Sequence, residues 1–407
     1  MTDTTTSHDE SSAVRGSAGE VFTTFLKLGF TSFGGPIAHL GYFRDELVSR
    51  RKWIDEQGYA DLVALSQFLP GPASSQVGFA LGLLRGGPLG ALAAWAAFTL
   101  PSALLLVLFA YGAAAFGGPV GGGVITGLKI VAVAIVAQAV WGMARNLCPD
   151  RERATIALGA VLIIVLVAGA LGQVAAIAAG AAAGLLFCRN HHKAITRHIE
   201  FPVSRTFGAV SLVLFFALLI GLPILAPAIP SQGLAVFDSF YRAGSLVFGG
   251  GHVVLPLLET EVVKSGWVSH DQFLAGYGAA QAVPGPLFTF AAYLGTVLGP
   301  EPNGLIGASI ALIAVFLPGF LILLGVIPFW DSFRKRDSAQ ALMRGANAAV
   351  VGILGAALYD PVFTSAIVGP YQFALALTCF VLLMTWKIVP WIVVLAAAAG
   401  GVLIGAL

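Results

Sequence analysis

The chain has 407 residues, of which 57% are apolar and only 10% are Asp, Glu, Lys or Arg, against about 25% in ordinary soluble domains. That composition cannot supply a water-soluble surface, and a formal net charge of +2 offers no field to gather nucleic acid. A soluble enzyme and a nucleic-acid binder are therefore excluded, and lipid is the solvent for most of the chain.

Residues 1–20, MTDTTTSHDESSAVRGSAGE, are polar and are expected to form a disordered cytoplasmic tail. A secretory signal needs a basic start and then an apolar core, and neither is there. Two apolar pieces, 58–69 and 73–84, follow, separated by Pro70-Gly71-Pro72. Each is about half a span, so the pair reads as a re-entrant helical hairpin that enters and leaves on one side. Ordinary spans are expected at 88–116, 121–144, 154–170 and 172–188. The linker 189–205, RNHHKAITRHIEFPVSR, is basic and is expected in the cytoplasm. A connecting span and loop occupy 206–235. Residues 270–283 and 287–299 form a second split pair, divided by Pro284-Gly285-Pro286, and spans return at 303–330, 340–358, 363–385 and 388–406.

The two halves, 21–188 and 236–407, are copies. Phe25-Leu-Lys27-Leu-Gly29-Phe-Thr-Ser-Phe33-Gly34-Gly35 aligns with Phe240-Tyr-Arg242-Ala-Gly244-Ser-Leu-Val-Phe248-Gly249-Gly250. Trp53 aligns with Trp267, Gln67-Phe-Leu-Pro70 with Gln281-Ala-Val-Pro284, Leu100-Pro101 with Leu317-Pro318, and Gly127-Leu-Lys129 with Gly345-Ala-Asn347. The offset stays between 214 and 218. Cationic loops flip between the copies. Arg44, Arg50, Arg51 and Lys52 precede Trp53, whereas only Lys264 stands before Trp267. The GGPVGGG loop has no charge, whereas its counterpart carries Arg334, Lys335, Arg336 and Arg344. The positive-inside rule then turns the second copy upside down, with 206–222 as the extra crossing. The expected fold is all-α, a polytopic membrane protein of two inverted-topology repeats with broken helices, the architecture of secondary transporters.

The run FLKLGFTSFGGPIAHLGYFRDELVSRRKWIDEQGYADLVALSQFLPGPASSQVGFALG resembles the N-terminal motif block of the chromate ion transporter family, and FGGGHVVLPLLETEVVKSGWVSHDQFLAGYGAAQAVPGP resembles its repeated block. The resemblance covers roughly 21–385 in the long, two-domain form. It implies a bacterial or archaeal inner-membrane protein that exports chromate, recognised as a sulfate-like tetrahedral dianion. The halves differ where Gly251 replaces Pro36, and where His39 gives way to a differently placed His252.

A dianion crosses lipid only with compensating donors or cations. Free N–H groups at a half-helix N-terminus are one device, and glycine lets the backbone approach a ligand. Pro70, Gly71, Pro72 and Pro284, Gly285, Pro286 suit it, although the same sequences also suit a plain tight turn. The following half-helices begin Ala73-Ser74-Ser75-Gln76 and Leu287-Phe288-Thr289, so Ser74, Ser75 and Thr289 offer hydroxyls. Phe33, Gly34, Gly35 and Phe248, Gly249, Gly250 form a second pair of breaks. Lys27 and Arg242 occupy equivalent positions and together match a −2 charge; Lys129 lies inside an apolar span; all three also suit snorkelling to the interface. Gln67 and Gln281 donate an amide either to the anion or to the broken backbone. Asp45, Glu46, Asp61, Glu259, Glu261 and His252 are the groups that proton coupling could use, each near an expected helix end or loop.

No Walker A, GxSxG or HExxH motif occurs, so no catalytic residue and no cofactor are expected. Cys148, Cys188 and Cys379 lie far apart, and His191, His192 and His198 fit no zinc spacing, so no metal is expected. The partners expected are chromate or a sulfate-like oxyanion and membrane lipid, with no nucleic acid, and the reading leaves room for a homodimer. Export of chromate by alternating access is the function this supports; import or exchange of sulfate or another oxyanion, and an anion channel, are the alternatives.

Overall fold

The computed structural model describes residues 16–115, 118–167, 169–188, 201–330, 332 and 336–406. The expected tail, apart from its last residues, and most of the 189–205 linker with its histidines lie outside the described residues. Among the described residues the regular structure is helical throughout, and six helices are long and apolar enough to cross a membrane.

The first repeat opens with α1 (Ala18–Thr31), N-capped by Ser17, whose side chain accepts from the Glu20 N–H. After the Phe33-Gly34-Gly35 break come α2 (Gly35–Phe43) and a π-helical turn, Arg44–Arg50. Asp55 caps α3 (Glu56–Phe68), which ends at the PGP turn. The next helix, α4 (Ala73–Ala115), is broken at Gly86 and Gly87, where φ is −123° and 65°. Its arms, 73–85 and 88–115, fold back on each other: a Cβ on Gly82 would lie 2.4 Å from the Gly90 carbonyl oxygen. Then follow α5 (Gly118–Leu147), α6 (Arg151–Leu166) and α7 (Ala170–Phe187). Outside the repeats stands α8 (Arg205–Ala228), whose most apolar stretch is only 17% buried, as suits a lipid-facing helix.

The second repeat gives α9 (Gln232–Ser245), a short turn Gly251–Val253 leading into α10 (Val254–Val262), α11 (His270–Ala280), a turn Leu287–Thr289 leading into α12 (Phe290–Val297), and α13 (Gly304–Val326). It closes with α14 (Asp337–Ala357), α15 (Pro370–Met384) and α16 (Pro390–Ala406). One expected span needs correction. Residues 363–385 are not continuous, because the helix ends at Ala366, Ile367 turns extended, and the chain restarts only at Gly369-Pro370.

Side-chain and backbone contacts fix where each hairpin begins and ends. Arg85, at the end of the 73–85 arm, donates to the Glu20 carboxylate at 3.0 Å and lies 5.4 Å from the Trp53 ring centroid. The PGP hairpin therefore returns to the end from which α3 started. Arg51 pairs with Glu20 at 3.8 Å, so α1 and α2 form a second hairpin on that same end. In the second repeat the Gly299 N–H donates to the Trp267 carbonyl at 2.8 Å, which closes the equivalent PGP hairpin. The long helices then run in opposite directions. The 88–115 arm leaves the Trp53 end and carries Tyr111, whose hydroxyl would lie 2.9 Å from a Cβ on Gly304 at the start of α13. In turn α13 leads to Trp330, whose indole N–H donates to Asp61 of α3 at 3.3 Å. Trp53 and Trp267 mark opposite ends of the molecule.

The last helices are exchanged between repeats: α16 packs on α5 and α7 packs on α14. Aligned glycines set both contacts. A Cβ on Gly127 would lie 2.1 Å from the Ala397 carbonyl oxygen, and one on Gly345 would lie 2.0 Å from that of Gly180. Small residues let membrane helices approach where no hydrophobic force between them exists. Gly127→Leu and Gly345→Leu must each push two backbones apart, and each is expected to destabilise the detergent-solubilised protein by about 1–3 kcal/mol or more. Thermal unfolding of the two variants measures this; a Tm equal to that of the unsubstituted chain for either one rejects the exchanged packing.

Candidate functional site

Four hairpin tips meet inside the molecule, and they meet across the repeats. The Gly71 N–H donates to the Val247 carbonyl, one residue before Phe248, at 2.7 Å. The Gly285 N–H donates to the Ser32 carbonyl, one residue before Phe33, at 2.9 Å. Each PGP tip is thus held by the FGG tip of the other copy. The two FGG tips also touch each other, since a Cβ on Gly251 would lie 3.3 Å from Pro36 Cγ. Gly71 and Gly285 have φ of 116° and 99°, and both lie against the other copy's long helix: a Cβ would fall 2.9 Å from Gly319 Cα at the first and 2.8 Å from Ser102 Oγ at the second. Glycine is required on both counts.

At the Gly71 junction the Gln76 amide donates to the Pro70 and Gly319 carbonyls, both at 2.9 Å. The Pro70 carbonyl is freed by the turn, so the amide repairs the broken backbone there and ties the turn to α13 at Gly319. Aromatic rings fill the surroundings: Phe288 and Phe316 at 5.6 Å between centroids, Phe79 stacked on Phe320 at 4.3 Å.

The Gly285 junction is polar. His39 is buried, its Nδ1 3.4 Å from Ser74 Oγ, its ring edge-on to Phe98 at 5.4 Å and beside the Ser32 main chain. The Ser102 hydroxyl donates to the Thr99 carbonyl at 3.1 Å. Ser32 Oγ, His39 Nε2, Ser75 Oγ and Thr99 Oγ1 are buried polar atoms with no hydrogen-bond partner. Such a concentration of unsatisfied groups is what a ligand site shows when only protein atoms are counted.

The structure gathers Pro70, Gly71, Pro72, Ser74, Ser75, Pro284, Gly285, Pro286 and Thr289 in the buried tips, with the Thr289 hydroxyl donating to the Pro286 carbonyl at 2.7 Å. Phe33, Phe248, Gly249 and Gly250 are half-buried at the FGG breaks, with Gly34 exposed and Gly35 half-buried. Gln67 is exposed and Gln281 is half-buried with an unpartnered amide nitrogen. His252 Nδ1 lies 2.8 Å from the Tyr277 hydroxyl.

The cations are placed elsewhere. For Lys27 the sequence left open a buried charge for the anion or snorkelling to the interface; its side chain is 55% exposed and sits 3.6 Å from Glu46, which Arg50 and Arg51 also bind. Arg242 pairs with Glu261 at 2.8 Å and with Asp238 at 3.1 Å. Glu46 and Glu261 are themselves equivalent in the alignment, so one ion pair closes both FGG hairpins. Lys129 reaches Asp271 at 2.5 Å. Sequence reasoning missed Ser32, Thr99 and Ser102. Their signal was adjacency to a break, beside Phe33 and around Pro101. Cys148, in the turn after α5, is half-buried, and burial pushes its thiol up to about 11. Among the described residues no three His, Cys, Asp or Glu side chains gather into a metal site.

A family model described as chromate transporter matches the chain twice, over residues 19–185 and 234–402. The chromate transport protein of Pseudomonas aeruginosa is 30% identical over 347 residues, covering 84% of this chain and 80% of that protein. A probable chromate transport protein of Synechococcus elongatus is 28% identical over 92% of this chain and 93% of its own length. An uncharacterized transporter of Methanocaldococcus jannaschii is 28% identical over 83% of each chain. No solved structure matches. The chain belongs to the chromate transporter family, and it is a multi-pass membrane protein.

The tips generate a direct test. Gly71→Ala and Gly285→Ala each place a methyl group where there is no room, in a backbone conformation that disfavours it. Each is expected to lower the initial transport rate in vesicles by more than tenfold while the protein still inserts. Wild-type rates in both variants count against the tip junctions as the working site.

Proposed function

We propose that this member of the chromate transporter family exports chromate by alternating access, the anion binding where the four hairpin tips meet. The observation that carries the reading is the reciprocal pair of tip contacts, Gly71 to Val247 and Gly285 to Ser32. They gather broken backbone, two half-helix starts and buried hydroxyls at one internal place, the set of features that binds anions in transporters. The antiparallel 88–115 arm and α13 support two repeats of opposite orientation. The cluster Arg44, Arg50, Arg51 and Lys52 supports a cytoplasmic Trp53 end.

Lys27, Arg242 and Lys129 all face carboxylates, so in this reading the tips receive the anion with neutral donors. No cation moves with it, and a dianion then carries two charges outward. An inside-negative potential favours that step by about 4.6 kcal/mol per 100 mV.

Purified protein in vesicles loaded with chromate tests this. An imposed potential, negative on the Trp53 side, is expected to speed chromate movement away from that side with no counter-anion present. A rate indifferent to the potential rejects uncoupled export. Orientation has its own check. In a chain whose native cysteines are replaced by alanine, Gln57→Cys and Lys264→Cys should react with an impermeant thiol reagent from opposite faces of the membrane. Labelling of both from one face overturns the inverted arrangement.

A further inference from the structure

The backbone of the tip region is symmetric but its side chains are not. The alignment pairs most polar residues at the Gly285 junction with an apolar or side-chain-free residue at the Gly71 junction; the exception is Ser75, whose counterpart Thr289 is polar but donates its hydroxyl to the Pro286 carbonyl. Ser32 corresponds to Val247, His39 to Val254, Ser74 to Phe288, Thr99 to Phe316 and Ser102 to Gly319. In the reverse direction the polar Gln76 corresponds to Phe290. The Gln76 amide nitrogen is already committed to two carbonyls.

The two junctions are therefore chemically different. At one, Phe288, Phe316, Phe320 and Phe79 fill most of the space with rings, and Gln76 Oε1 and the Trp95 indole N–H are the buried polar atoms without partners there. At the other, Ser32 Oγ, His39 Nε2, Ser75 Oγ and Thr99 Oγ1 are buried without partners, on residues no more than 3% exposed. An unpaired buried polar group is costly, so a group of four calls for a partner that satisfies them. Hydroxyls and an imidazole N–H donate to oxygen, and several such donors at one junction suit an oxyanion.

Resting on the reading above, we infer that each chain holds one oxyanion and not two, at the Gly285 junction, with Ser32, His39, Ser75 and Thr99 as its donors. The Gly71 junction is the closed, aromatic counterpart that pivots without binding. Both copies thus supply the geometry, and the first copy alone supplies the recognition.

Isothermal titration of the purified full-length protein in detergent with chromate, and separately with sulfate, tests the stoichiometry. One anion per chain is expected. Ser32→Ala and His39→Asn are each expected to weaken binding by more than tenfold. Val254→Ala, at the position matching His39, is expected to stay within threefold. Size-exclusion elution of each variant at the wild-type volume establishes that it is folded. Two equivalent anions per chain, or wild-type affinity in both Ser32→Ala and His39→Asn, overturns the single-site inference while leaving the transport function standing. A wild-type protein that neither binds nor moves either anion removes the function and the inference together.

Discussion

Inside lipid a backbone N–H has no water to turn to, and everything in this molecule follows from that. A helix broken at mid-depth exposes peptide groups that cost several kcal/mol each unless protein satisfies them. This chain breaks four times, at two FGG and two PGP sequences. It meets the cost by letting the breaks satisfy one another across the repeats, Gly71 to Val247 and Gly285 to Ser32. Neither repeat could do this alone, because each PGP tip finds its acceptor in the other copy. Duplication is thus a structural necessity as well as a route to two access states. The glycines at the tips are fixed by the same requirement, since only a residue with no side chain brings two backbones close enough for these bonds.

Most of the architecture was legible in the sequence because membrane folding leaves few options. The PGP interruptions, the half-length apolar pieces and the constant offset announced hairpins and repeats. The alignment of Gly127 with Gly345 even marked the two helix contacts that turned out to be equivalent. What the sequence could not reveal is which element each break faces. The exchange of α7 and α16 between repeats depends on three-dimensional closure, and hydropathy says nothing about it. The α1–α2 hairpin was missed for a related reason. Its arms are short and carry charge, so neither resembles a span.

The cations show how a chemically sound argument, read along the chain, overlooks a competing partner. Lys27 and Arg242 are equivalent, and two positive charges match a dianion. Yet Glu46 and Glu261 are equivalent as well, at the same separation of 19 residues along the chain. A hairpin brings that separation into contact, so the charge that a linear reading left unpaired is met by the opposite arm. Burying an ion is costly enough that a carboxylate on a neighbouring arm is the default partner. Duplicated pairs, read together, would have indicated this.

The asymmetry of the tips also bears on how such a transporter can cycle. Two identical polar junctions would both carry unsatisfied donors whenever the anion was absent, and both would resist closure on an empty site. One junction is lined mainly by phenylalanine and takes its shape from ring packing. It can hold the two repeats together through the change of access. On the single-site inference, the polar half senses occupancy, its buried hydroxyls and imidazole finding their partners in the bound oxyanion. Binding and conformational change are linked through a single set of donors, and the pseudo-symmetric backbone lets that set face either side of the membrane.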